Sequence, residues 1–324
     1  MLYPLKFIPI LKEKIWGGTT LAKYGKNLSG ATRVGESWEL SAFDDDPSVV
    51  AVGNLKENNL TELLEVYMGD LVGDHVYEKY GNYFPLLFKL IDAEDRLSLQ
   101  VHPNDEVAWE KHQCSGKTEM WYVLDAQPDS TLTLGLKHPM TQTELQQSIQ
   151  NGCFTDFLRT IPVHRGDVAF IPAGMLHAIG AGVQLVEIQQ ASDVTYRLYD
   201  YERTDEDGNK RELHLDRALS VLNYSSNEQP LILYTPQLNG AVNLVSCDYF
   251  VTNLLCFNRT VERDYAPLDS FVVYCALEGE CMVQTDLGNT ALQMGETLLL
   301  PALCNDVRLI PSSSQVRLLE VYVP

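Results

Sequence analysis

Apolar and polar residues alternate in short blocks along most of this 324-residue chain, and Gly, Pro and Asp separate the blocks. Successive side chains of a strand point to opposite faces, so alternation with period two marks a half-buried strand. Strands are expected on that basis at 36–42, 85–91, 97–102, 119–126, 131–136, 167–172, 183–190, 249–257, 270–277, 280–285, 297–301 and 315–323. Many short strands with turn signals between them predict sandwiches or barrels. Helices are few. Asn59 with Glu62, and Thr141 with Glu144, have the spacing of capping boxes and predict helices over 60–69 and 142–150. Asn104 caps another over 105–112, with Asp105 and Glu106 at its positive end, and a fourth covers 214–222. The stretch 202–211 reads as a charged hairpin tip or loop, and 223–230 as a linker. Length allows about two domains, placed here at 1–225 and 226–324.

The chain also repeats itself. GDVAFIPAGMLHAI at 166–179 aligns with GETLLLPALCNDVR at 295–308: Gly, an acid, four mostly apolar residues, then Pro. Upstream, 119–134 resembles 271–285. Two copies of one β-unit account for both matches. His177 corresponds to Asp306 in the second copy, and no histidine follows His214. Any imidazole chemistry therefore belongs to the first copy.

A formal charge of −20 narrows the partners. Such a chain repels nucleic acid and anionic membrane surfaces, and no basic block overrides this. No apolar run approaches the roughly 20 residues of a membrane-spanning helix. Lys6, Lys12 and Lys14 interrupt the apolar start and no small-residue cleavage site follows, so no signal peptide is expected. Seven cysteines without a Cys-x-x-Cys pair read as reduced thiols of a cytoplasmic protein. An anionic substrate would need strong local positive charge against this acidic background.

The candidate chemistry lies in LSLQVHP at 97–103 and GDVAFIPAGMLHAIG at 166–180. Gln100 and His102 stand at i and i+2 of a strand and share a face. Glu119 opens the next strand, and His177 follows a Pro-x-Gly turn. Two imidazoles, a carboxylate and an amide oxygen suit a divalent metal. A lone His after such a turn is more often structural; the four donors together favour a metal. Imidazole and carboxylate serve Zn, Mn, Fe or Co alike. His75, His112, His138, His164 and His214 lack such spacing and read as surface or structural. Trp16, Trp38, Trp109 and Trp121 read as core aromatics, with Trp16 also a candidate for the pocket mouth.

Gly166-x5-Pro172-x-Gly174-x2-His177 resembles the second motif of the cupin superfamily, with Ala181 where Asn is usual. Gln100-Val101-His102 stands where the first cupin motif usually has His-x-His. With Pro103, Gly116-Lys117-Thr118-Glu119, Ile15-Trp16-Gly17-Gly18, Gly35-Glu36-Ser37-Trp38-Glu39, Glu187, Ser192-Asp193 and Arg197, the chain resembles the type I mannose-6-phosphate isomerases nearly end to end. The resemblance implies an all-β fold of two cupin-type β-barrels (jelly rolls) with a few short helices. It implies interconversion of mannose 6-phosphate and fructose 6-phosphate by proton transfer between C1 and C2. One zinc ion per chain would be held by Gln100, His102, Glu119 and His177, all in the first barrel. Arg197 takes the place of the family's catalytic arginine, and Ser98 that of a serine linked to phosphate binding. Lys117 falls on the lysine that precedes the metal-binding glutamate. Both Lys117 and Glu187, ten residues past His177, are candidates to move the proton; Lys117 and Arg197 are also substrate-binding candidates.

Only 57 residues separate Glu119 from His177, where longer members carry a helical insertion, so a compact bacterial form is expected. The expected partner is a sugar phosphate, with no nucleic acid or membrane; monomer and homodimer are both open. Two other functions share the scaffold. Gln100 and Lys117 count against an Fe(II)-dependent cupin oxygenase. The intact ligand set and Arg197 count against a non-catalytic sugar-phosphate-binding cupin.

Overall fold

Alternation along the strands decides which faces meet. A computed structural model describes residues 1–204 and 207–324; residues 205 and 206, within the charged stretch 202–211, lie outside the described residues. The first sheet orders Ile10–Gly18, Val34–Leu40, Leu86–Ala93, Val183–Gln190, Glu119–Ala126 and Val168–Ile171. On Glu119–Ala126, Trp121 and Val123 enter one apolar cluster, while Met120, Tyr122 and Leu124 enter another. The first cluster takes in Leu132, Leu134 and Ile179 of a second sheet. That sheet orders Tyr196–Tyr199, Leu99–Val101, His177–Ile179, Thr131–Leu136 and Leu158–Pro162. The second cluster reaches Phe250, Leu254, Val273 and Leu319, far along the chain. The six-stranded sheet is thus covered on both faces, and every residue of Leu86–Ala93 and Val183–Gln190 is buried.

The same logic builds the C-terminal half. Gly240–Ser246, Val251–Phe257, Val316–Tyr322, Val272–Glu278 and Thr297–Leu300 form a third sheet. A fourth holds Val261–Asp264, Asp306–Pro311, Glu280–Thr285 and Gly288–Gln293. Leu255, Phe257, Tyr274 and Leu318 face the fourth sheet, and their neighbours Leu254, Cys256, Val273 and Leu319 face the first half. The two large sheets therefore stand back to back, each backed by a smaller sheet. Every ladder between these strands is antiparallel, and among the described residues each sheet is open at its edges. Leu5 ties the halves together through paired backbone bonds to Leu299 of 2.8 and 2.9 Å.

Both expected capping boxes are formed, and Asn104 accepts from Val107 N–H. The helix expected to run to 69 ends at Tyr67, because Met68 takes φ of +46°. Gly69–Val72 and Asp74–Tyr80 follow it. Asp74–Tyr80 buries only Val76, which left no periodicity to read. Ile10–Gly18 is an additional, edge strand whose buried residues are Trp16, Gly17 and Gly18. Trp109 corrects the expectation of a core aromatic: it is 63% exposed, because Asp105–His112 lies on the surface and buries only Ala108. All seven cysteines are free. No helix among the described residues is long and apolar enough to cross a membrane.

Register also lines up polar residues inside the first half. Trp38, Lys89, Glu187 and Trp121 are direct cross-strand partners on four neighbouring strands. In the C-terminal half Asn253, Glu320 and Tyr274 form the corresponding row. Glu320 is fully buried and accepts from Arg263 at 2.8 and 3.0 Å, from Asn253 Nδ2 at 2.8 Å, and from the Tyr265 hydroxyl.

Candidate metal centre and cavity

Strand pairing brings the expected ligands together from both sheets of the first half. Gln100 lies directly opposite His177 on the neighbouring strand. His102 follows Leu99–Val101, and Glu119 opens Glu119–Ala126 on the facing sheet. The turn before His177 depends on Gly174, whose φ of +86° suits a residue without Cβ. The Gly174 N–H donates to His102 O at 2.9 Å, tying the two histidine-bearing segments together.

His102, Glu119 and His177 are buried, with ligand atoms within 4.8 Å of one another. His102 Nε2 is 3.6 Å from Glu119 Oε2, and His177 Nε2 is 3.4 Å from Glu119 Oε1. Each imidazole is anchored through Nδ1, to Val194 O at 2.9 Å and Met175 O at 2.8 Å. A carbonyl there requires N–H on Nδ1, which leaves the Nε2 lone pair aimed into the site. His102 Nε2 and both Glu119 oxygens lack a well-formed hydrogen bond, Glu119 Oε2 meeting only the Lys117 ammonium at 3.3 Å. Buried acceptors without a donor are costly and rare, and a divalent cation would satisfy all three at once. Gln100 Nε2 sits 3.3 Å from His177 Nε2; a half-turn of the amide brings Oε1 to the same place.

Electrostatics agree with the geometry. Burial, then Lys117, holds His102 well below its ordinary value, and burial pushes His177 down to about 4. Both imidazoles are therefore neutral near pH 7, the form that binds metal. Burial pushes Glu119 up to about 7, with Lys117 only partly opposing it. A bound cation would favour the ionised carboxylate. The residues present fit a divalent metal.

Beside the site, reached through Gln100 and Lys117, lies a cavity of about 270 Å³. Gln100, Lys117, Lys89, Glu187, Trp16, Ser98, Arg197 and Arg211 line it. Lys117 Nζ is 3.3 Å from Glu119 Oε2. Lys89 Nζ is 3.2 Å from Glu187 Oε1, and Trp121 Nε1 donates to Glu187 Oε2 at 2.9 Å. Burial would raise the Glu187 carboxyl, but Lys89 and then Lys117 hold it below its ordinary value. Arg197 is partly buried; its Nε donates to Ser98 Oγ at 3.3 Å and its Nη1 to Glu212 O at 2.8 Å. Trp16 packs so closely on Gly35 that a Cβ there would stand 2.6 Å from its ring.

All eight residues singled out from the sequence thus meet at one centre and its cavity. Sequence reasoning missed Lys89, Glu36 and Arg211, which also line the cavity. Lys89 had a signal, a lone cation in the apolar strand PLLFKLI, as did Glu36, which shares a face with Trp38. Arg211 had none, since it lies in a charged stretch.

The fold and site define an antiparallel β-sandwich protein with a buried His-Glu-His group able to hold a metal ion. Residues 5–134 match the family model described as phosphomannose isomerase type I, catalytic domain. The chain is 37% identical over 305 residues to the mannose-6-phosphate isomerase ManA of Bacillus subtilis, covering 92% of this chain and 93% of that protein. It is 36% identical over 305 residues to a mannose-6-phosphate isomerase of Streptococcus mutans, with 93% of each covered. A crystal structure of the mannose 6-phosphate isomerase from Bacillus subtilis superposes with a TM-score of 0.88 at 32% identity, over 99% of both chains. The chain belongs to the type I mannose-6-phosphate isomerase family.

Proposed function

We propose that this chain is a cytoplasmic zinc-dependent isomerase that interconverts mannose 6-phosphate and fructose 6-phosphate, moving a proton between C1 and C2. One observation carries the reading: orphaned buried acceptors of His102 and Glu119 converge beside a cavity lined by Lys89, Lys117, Arg197 and Arg211, in a chain of net charge −20. Gln100, His102, Glu119 and His177 would hold one zinc ion, a donor set that suits this metal. The bound ion would supply Lewis acidity for the oxygen charge that develops during proton transfer.

The chain's own groups do the rest. Glu187 keeps its carboxylate ionised beside Lys89 and can take a proton. Lys117 is the alternative carrier, 3.3 Å from Glu119. Arg197 stays charged at any working pH, and its planar fork can stabilise two adjacent oxygens of an enediolate. Ser98 and Arg197, hydrogen-bonded to each other, would receive the phosphate, with Lys117 adding charge. We further assign residues 1–225 and 226–324 to two cupin-type β-barrels (jelly rolls), each one facing sheet pair. Only the first would bind metal, since Asp306 opens Asp306–Pro311 as His177 opens His177–Ile179 and is exposed.

The test is a coupled assay converting mannose 6-phosphate to fructose 6-phosphate. Activity should vanish with chelator and return with zinc. Undiminished activity after complete metal removal would sink the zinc requirement; a zinc-loaded, folded but inactive protein would sink the isomerase reading.

A further inference from the structure

The metal centre accounts for one part of the cavity; a second charged cluster stands around Arg197 and Arg211. Asp200 follows Tyr196–Tyr199 and has only 6% of its side chain exposed, yet it serves two guanidiniums. Arg211 Nε donates to Oδ2 at 2.7 Å and its Nη2 to Oδ1, while Arg203 Nη2 donates to Oδ1 at 2.5 Å. Two parallel bonds to one carboxylate fix both the plane and the direction of the Arg211 fork. The remaining nitrogen of Arg211, Nη1, donates to no described residue, and Arg211 lines the cavity with Arg197 and Ser98. Arg211 and Arg203 both lie in range of Arg197, and Asp200 is the buried acid among them; Asp95 and Glu212 have 54% and 83% of their side chains exposed. Like charges gathered in a partly buried site repel, and an anion relieves that repulsion.

From this juxtaposition we propose that Arg211 is the second arginine, beside Arg197, that grips the phosphate of the substrate, and that Asp200 is the positioning residue that aims it. The inference rests on the reading of the substrate as a sugar phosphate. A phosphate offers three acceptor oxygens and a charge of about −1.5 to −2. Two guanidiniums and the Ser98 hydroxyl can serve all three of those oxygens at once, whereas a single arginine fork serves two.

The experiment compares wild type with Arg211→Gln, Arg211→Lys and Asp200→Asn, measuring KM, kcat and the Ki of inorganic phosphate as a competitive inhibitor. Arg211→Gln should raise both KM and Ki about tenfold, with KM changing by a larger factor than kcat. Arg211→Lys, which keeps charge without the fork, should fall between it and wild type. Asp200→Asn keeps all the guanidiniums but weakens the brace, and should raise KM and Ki about threefold. A merely structural role would lower kcat, metal content or thermal midpoint and leave Ki alone. Arg211→Gln with KM and Ki within about twofold of wild type overturns the proposal, even if Asp200→Asn fails to fold. A wild type inactive on mannose 6-phosphate would instead sink the functional reading on which the proposal rests.

Discussion

Lys89→Met isolates the buried ion cluster from the candidate metal ligands. Methionine nearly matches lysine in length and can keep the packing over the Trp38 ring, where Lys89 Nζ sits 5.3 Å from the centroid. What it removes is the cation between Glu187, 3.2 Å away, and Glu36. Glu187 would keep a hydrogen bond only from Trp121 Nε1, and Glu36 would keep Trp38 Nε1 at 2.8 Å and Lys14 at 3.5 Å, with Lys117 the more distant cation for both. Orphaning one buried charge costs about 3–5 kcal/mol. Two carboxylates share this lysine, so the upper end of that range is expected at pH 8. The pH dependence follows from the directions of shift. In wild type both carboxyls lie below their ordinary values, although burial opposes this, because Lys89 stands beside them. They therefore contribute stability above their unfolded value of about 4.3, and it is lost as pH falls. Without Lys89, burial raises them. The folded state then holds protons that the unfolded chain has released, and stability falls as pH rises. The deficit of Lys89→Met should grow from pH 5 to pH 8, read by urea unfolding with tryptophan fluorescence. Adding Glu187→Gln should recover about 1–2 kcal/mol by removing one orphaned charge. A deficit under about 1 kcal/mol at pH 8, or one independent of pH, would refute the reasoning.

Three further outcomes are expected. His102→Ala and His177→Ala should each abolish tight metal binding, and wild type should carry one equivalent by elemental analysis; two equivalents would contradict a single site. Arg197→Lys should lose at least about tenfold in kcat, or roughly 1.4 kcal/mol, with metal content unchanged; a variant that only raises KM would leave Arg197 its binding role alone and remove it from the chemistry. Ser98→Ala should mainly raise KM, because its hydroxyl stands beside Arg197 and not at the metal ligands; a normal KM with collapsed kcat would reverse that assignment.

The strands 119–126, 131–136, 183–190 and 280–285 run as alternation along the chain marked them. Side chains of 119–126 and 183–190 divide between two largely buried faces, and those of 280–285 between a buried and a more open one, so the local pattern carries the fold. His177–Ile179 and Tyr196–Tyr199 are too short to show a period, and exist through pairing with Leu99–Val101. That Gln100, His102 and His177 lie together was legible because Gln100 and His102 are neighbours, and because the turn around Gly174 has its own signature. The role of Lys89 was not, since its partner Glu187 lies nearly a hundred residues away and only sheet register sets them side by side. For Trp109, residue type suggested a core, but the helix that carries it has no apolar stripe.

The row through Glu320 changes what the loss of histidine in the C-terminal half means. A carboxylate offers about four lone-pair sites. Glu187 spends two of them, on Lys89 and Trp121, and borders a cavity. Glu320 occupies the corresponding place with four donors fastened to it, from Arg263, Asn253 and Tyr265. It has no valence left to offer a visitor. Asp306→His would return an imidazole to the counterpart of His177, but in a half whose buried acid is already held by its own neighbours. Freeing Glu320 to meet a visitor would mean unpicking the bonds that now hold this interior together.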